Sequence, residues 1–303
     1  MKQALLFAVL GTAAMAVSAA EQKHYFVPLI HAVTSTEFIP GSDPSQGLSI
    51  QTMWLDNLSA FNTSGVTASV TPVAFYGGFV KTPGDQTVTL APGTGDQFSR
   101  WPWAGIGGPE NGPVGFAELL ADPGVIVNAG VEKVQFCSGC LLPDRVGGDT
   151  LVSQGRTAMP VFDSLFPAGA SVICGEVNLG APRQTCGKPS DQQYPRRVNV
   201  TLLNAGAEEA TFRIQAISLY TKAEPIHEQT VKVGARDVTQ VNNVPIPRTE
   251  NGHITVDYDT YVWIRITCNQ PFLAYVSSVF EGGASGSMPF EVFTPRLAGP
   301  TGP

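Results

Sequence analysis

Five cysteines carry the plainest chemistry in this chain. Cys137 and Cys140 stand in a Cys-x-x-Cys spacing that can close a local disulfide. Cys174 and Cys186 bracket a stretch containing Gly175, Gly180 and Pro182, so a disulfide between them would clasp a loop. In the chain-entropy picture such a clasp stabilises by about 3 kcal/mol. Cys268 ends the apolar run Trp263-Ile264-Arg265-Ile266-Thr267-Cys268 and is expected as a buried free thiol, with intermolecular pairing the alternative. Zinc would ask for a second Cys pair or a nearby His pair. His24, His31, His227 and His253 are far apart, so no metal site and no cofactor are expected. No βαβ pattern surrounds Cys137, which argues against thioredoxin-like redox work.

Carboxylates and hydroxyls offer less. The nucleophile elbow, the H-E-x-x-H zinc motif and the phosphate loop are all missing from the sequence. Ser285 lies among glycines at the wrong spacing and reads as part of a turn. Asp257 and Asp259 can offer oxygens to calcium, but no further acidic ligands follow nearby, so a solvated turn is the expectation. Glu118 and Asp122 would share one face of a short helix, and only their spacing in space would make them a glycosidase pair. No catalytic residues are assigned, and the chain is expected not to be an enzyme.

The segment Arg100-Trp101-Pro102-Trp103 opens a Gly/Pro-rich loop with little else to bury two indoles. Exposed indoles stack on sugar rings or on a partner's apolar patch, so Trp101 and Trp103 are the candidate ligand-binding residues. The alternative has them folded back as a plug over the end of the domain.

The elements that must hold these residues read as strands. Gly 32 and Pro 24 disfavour long helices, and charged residues make up only 14%. A net charge of −7 argues against a nucleic-acid partner. Val66, Ala68 and Val70 alternate with Thr and Ser, as do Val198, Val200 and Leu202 with Asn199 and Thr201. The run Phe272 to Ser277 is apolar on both faces, as a central strand would be. Helical rhythm is confined to a turn or two at Phe116–Leu120 and at Phe162–Phe166.

Met1 to Ala20 has a basic start at Lys2, an apolar stretch from Ala4 to Val17 and a small-residue cleavage site, the layout of a signal peptide. An N-terminal membrane anchor is the alternative; the apolar run is short for a span. The mature chain is expected to be soluble and secreted, extracellular or periplasmic, without membrane insertion.

Beyond it, two halves follow one plan. Leu58 and Asn57 fall near Leu203 and Asn204, Gln86 opposite Gln229, and Gly130 opposite Gln270. Gly, Asp and Ser collect between Gly147 and Pro160, giving a first domain over 21–153 and a second over 154–303. Short strands with frequent turns suit a β-sandwich in each.

The order FVPLIHA, LDNLS, VTLAPG, then VTLLNAG and AYVSSVFEGG resembles uncharacterised secreted bacterial proteins with paired immunoglobulin-like sandwich repeats. That resemblance implies an all-β fold of two tandem immunoglobulin-like sandwiches and extracellular, non-catalytic modules. The Cys137–Cys140 pair and the Cys174–Cys186 insert depart from its pattern.

The leading expectation is a non-enzymatic secreted protein of adhesion, surface interaction or structural assembly, partnered by itself or by a cell-surface protein or polysaccharide. Exposed edges, including Tyr25 to Ala32, could extend a neighbour's sheet. The rivals are a carbohydrate-binding pair centred on Trp101 and Trp103 and, more remotely, a secreted hydrolase.

Overall fold

The computed structural model describes residues 21–30, 32–38, 49–77, 87–97, 114–138, 150–178, 196–218, 225–242, 244, 261–280 and 290–298. Outside them lie the segment 1–20, Trp101, Trp103, Cys140, Cys186, His31, His253, Asp257, Asp259 and Ser285.

The first half of the chain gives β1 (Lys23–Ile30), β2 (Ala32–Phe38), β3 (Ser49–Asn62), β4 (Ala68–Gly77), β5 (Val88–Leu90), β6 (Gly95–Gln97), β7 (Val114–Ala121), β8 (Val125–Ser138) and β9 (Thr150–Met159). The second gives β10 (Ser171–Asn178), β11 (Arg196–Asn204), β12 (Ala210–Ser218), β13 (Pro225–Val233), β14 (Val238–Val241), β15 (Tyr261–Cys268), β16 (Phe272–Phe280), β17 (Phe290–Phe293) and β18 (Arg296–Leu297).

These strands form four antiparallel sheets that face each other in two pairs, the arrangement of two β-sandwiches. In the first unit β1-β7-β4-β5 faces β2-β3-β8-β9, with β6 also on β3. In the second, β18-β10-β15-β12-β13 faces β14-β11-β16-β17. Alternation sets the cores. Ala68 and Val70 turn inward to Leu58, Ala60 and Leu119, and Phe212 and Ile214 turn inward to Val200, Leu202 and Ile264.

One plan thus occurs twice: β1, β7, β4 and β5 correspond to β10, β15, β12 and β13, and β6, β3, β8 and β9 to β14, β11, β16 and β17. The sharpest sign is a buried asparagine at the end of β3 and of β11. The Asn62 amide donates to the carbonyls of Val66 (2.7 Å), Leu90 (3.1 Å) and Ala91 (3.3 Å), and its Oδ1 accepts from the Ser64 N–H at 2.9 Å. The Asn204 amide donates to Glu208 (2.7 Å), Val233 (3.2 Å) and Gly234 (2.8 Å), and its Oδ1 accepts from the Gly206 N–H at 2.9 Å. Each side chain ties the turn that crosses between the two sheets of its sandwich to the end of β5 or β13. The twin of Asn204 is therefore Asn62, not Asn57, and Leu90 matches Val233 because they occupy the same bond. Gly130 does not face Gln270 in this scheme: Val125, the partner of Asn62, matches Phe272, the partner of Asn204.

Neither expected helical turn forms. Phe116 to Leu120 belongs to β7, a central strand between β1 and β4. Its Ala, Glu and Leu favour helix intrinsically, but pairing on both sides overrides that preference. Phe162 and Phe166 make isolated bridges to Phe26 and Phe272. β9 pairs with β8 as far as Met159, so the strand crossing the expected 153/154 junction stays with the first unit.

Candidate functional site

The two units meet at an apolar seam. Along β16, Phe272, Ala274 and Val276 face the second core, while Leu273 and Tyr275 point the other way and are equally buried. They join Leu203 against Phe26, Tyr76 and Phe116 of the first unit. The doubly apolar run read in the sequence is a strand with a sandwich on one face and a neighbouring unit on the other. Phe116 and Tyr275 stand edge to face with centroids 6.1 Å apart, a contact adding about 0.5–1.5 kcal/mol to the area buried.

The connecting segment is sewn to both units. Phe26 and Phe162 exchange backbone bonds of 2.7 and 3.0 Å, and Phe166 and Phe272 exchange bonds of 2.9 and 3.0 Å. The Phe162 ring packs on Phe116 and on Phe166, and Phe166 packs on Phe272.

These contacts also use up the edge of β1. The Phe26 backbone bonds to Phe162, Pro28 has no N–H to offer, and the Ile30 N–H donates to Asp56 Oδ1 at 2.6 Å. The Tyr25–Ala32 edge expected to accept a neighbour's strand is thus closed across Phe26 to Ile30. In the second unit β18 performs the same service for β10, pairing with Val172 and Ile173.

Polar groups gather at both ends of this seam. Glu118, outward on β7, accepts the Tyr76 hydroxyl on Oε2 at 2.8 Å and meets His24 Nδ1 on Oε1 at 2.8 Å. Burial pushes the Tyr76 hydroxyl up from its ordinary pKa, the Glu118 bond and charge add to this, and Arg236 of the second unit opposes it. Arg236 has φ +53°, a left-handed turn position. Nearby, Gly77 at φ +87° lies so close to the second unit that a Cβ would stand 3.1 Å from the Val238 Cβ and 2.7 Å from the Val114 carbonyl oxygen.

At the other end is Asp56, in register with Val131 on β8. It shares the inward face of β3 with Leu58 and Ala60. The residue is half-buried, but its Oδ2 is shut off from solvent and has no partner. Burial pushes the carboxyl up to about 7, offset in part by the Ile30 N–H. The fully buried Tyr275 hydroxyl lies within reach of the Asp56 charge but is not bonded to the carboxyl. Burial pushes that hydroxyl up, the Thr201 hydroxyl lowers it, and the charge of Asp56 raises it further.

Glu118 and Asp122, read as sharing one face of a short helix, have separate partners. Glu118 is engaged by Tyr76 and His24, whereas Asp122 follows β7 and accepts from the Ser69 N–H and hydroxyl, both at 2.7 Å, and from Gln22. A strand, unlike a helix, does not set residues four apart beside each other. Cys174 is a free thiol buried in the second core, its Sγ pointing to the Phe293 carbonyl oxygen at 3.6 Å, and its expected partner Cys186 lies outside the described residues. Burial pushes the Cys174 thiol up to about 12. Cys268 is free and buried, as read from its apolar run. Cys137 lies on β8 opposite Ile50 and Thr150. Among the described residues no three His, Cys, Asp or Glu side chains gather as metal ligands. Asp56, Tyr76 and Tyr275 escaped the sequence reading; the available signal was an aspartate in phase with Leu58 and Ala60.

No family model matches the chain, and no curated protein matches it. A solved structure described as "Crystal Structure of Thermotoga maritima 1070" shares 12% identity over 42% of this chain and 95% of that one, with a TM-score of 0.29. A likeness of that size carries no argument.

Proposed function

We propose that this is a secreted, non-enzymatic protein whose two immunoglobulin-like sandwiches form one rigid body that displays its loops in adhesion, surface interaction or extracellular assembly. The observation that supports this most is the seam: an aromatic contact between sheets, with a connector bonded to both units. Independent binding modules on a free linker need no such contact. Closed or charged edges point the same way. β1 is capped and β10 is covered by β18. β13 carries Glu228 and Lys232, engaged by Arg213 and Glu209. Edges so guarded leave loops as the natural contact surface.

The test is the state of the purified mature chain by light scattering and electron microscopy, with retention on cell-surface fractions. Ordered assembly or surface retention is expected. A strict monomer at high concentration that is retained on nothing would overturn the reading.

A further inference from the structure

We propose that Asp56 is a proton-operated latch on the seam: with its carboxyl neutral the two units are held as one body, and with the carboxyl ionised the seam loosens. The inference deepens the rigid-body reading and rests on it.

The geometry leaves the carboxyl half served. Oδ1 takes the Ile30 N–H at 2.6 Å, which either protonation state can accept. Oδ2 is enclosed with no partner. A neutral carboxyl keeps the Ile30 bond and brings no charge into this enclosure. An ionised one leaves a charge in an apolar seam with a single hydrogen bond, and a buried charge so poorly paired is costly.

No described charge relieves it. β1 contributes the backbone of Ile30, β8 contributes Val131, and β16 contributes Tyr275. Arg156 of β9 reaches toward Asn57, the next residue on the opposite face of β3. The position is strategic, because the Asp56 carboxyl touches the end of β1 and also bears on Tyr275, the side chain at the centre of the aromatic contact.

The direction follows from linkage. Burial raises the carboxyl from 3.8 to about 7, so between those values the folded chain keeps a proton that the unfolded chain has lost. Stability therefore falls as pH rises through that window and is flat above it. A switch centred near neutrality suits a protein that passes between an acidified and a neutral exterior.

The experiment places spin labels on exposed Val66 in the first unit and Lys232 in the second, as non-natural residues so that Cys174 and Cys268 are untouched. Distance distributions are measured by double electron–electron resonance near pH 5 and pH 8. In the wild type one narrow distance is expected at the lower pH and a distribution at least twofold broader at the higher. Asp56→Asn keeps an oxygen for Ile30 and cannot ionise, so it should stay narrow at both. Equal widths in the wild type at both pH values, or an Asp56→Asn variant that broadens as the wild type does, would overturn the latch. If that variant fails to fold, a carbon-detected NMR titration of the wild-type Asp56 carboxyl decides. Titration near neutrality supports the proposal, and titration below about pH 5 refutes it. Narrow distances at every pH would remove the latch and leave the rigid body standing; broad distances at every pH would remove both.

Discussion

Asn204→Ala is the substitution whose consequence follows most directly from the fold. It deletes three donations, to Glu208, Val233 and Gly234, and one acceptance, from the Gly206 N–H. At about 1 kcal/mol for each bond the loss is about 4 kcal/mol, before counting carbonyls left buried without a donor. For a unit of this size about 1 kcal/mol moves the melting temperature by about 2–4 °C, so a fall of roughly 10 °C is expected. Thermal and urea denaturation followed by circular dichroism and tryptophan fluorescence would measure it. Asn62→Ala should cost a similar amount, since it loses the matching bonds to Val66, Leu90, Ala91 and Ser64. Asn204→Asp separates bonding from volume: it fills the same space but turns a carboxylate oxygen toward three carbonyls, and should be at least as damaging at neutral pH. If both alanine variants shifted the melt by less than about 2 °C, the buried asparagines would not be what ties these turns.

Other outcomes follow from the seam and the cores. Gly77→Ala should destabilise by at least about 1–2 kcal/mol, from the left-handed backbone alone, and the approach to Val114 and Val238 should loosen the seam as well; urea unfolding and the label distances check each part. Phe116→Ala removes a fully buried ring shared by Phe162 and Tyr275 and should cost about 3–5 kcal/mol in the same denaturation assay. Asp122 is held below its usual pKa, first by Gln22 and then by Ser69, so its contribution is present above the ordinary carboxylate range and lost as pH falls through its lowered value. Asp122→Asn should flatten that acid limb in a pH-dependent melt. Cys174 and Cys268 should resist thiol reagents until the chain unfolds, as timed labelling and mass spectrometry would show; a Cys174–Cys186 disulfide in the purified protein would contradict the free thiol.

Much of the strand grammar was legible in the sequence because one-sided strands alternate. β4 and β11 announce themselves through Ala68 and Val70, or Val198, Val200 and Leu202, set against polar neighbours. Central strands are harder. β16 was read correctly because Phe, Tyr and Val favour strand, whereas β7, equally central, is written in Ala, Glu and Leu and looked helical. The repeat was visible at Gln86 and Gln229, where turns follow at matching distances, and slipped at Asn57 because another asparagine ends the same strand. What selects Asn62 is the tight turn after it, Thr63-Ser64-Gly65, which resembles Ala205-Gly206-Ala207 after Asn204. The seam could not be read at all. Asp56 and Tyr275 lie more than two hundred positions apart, and only packing of one unit on the other brings their buried oxygens together.

Scanning calorimetry of the mature chain near pH 5 tests the rigid seam most directly. One cooperative transition is expected, with equal calorimetric and van't Hoff enthalpies, because neither sandwich can melt without exposing Phe116 and Tyr275. Two separate transitions, with that of the second unit unmoved by Phe116→Ala in the first, would mean that the sandwiches are independent beads.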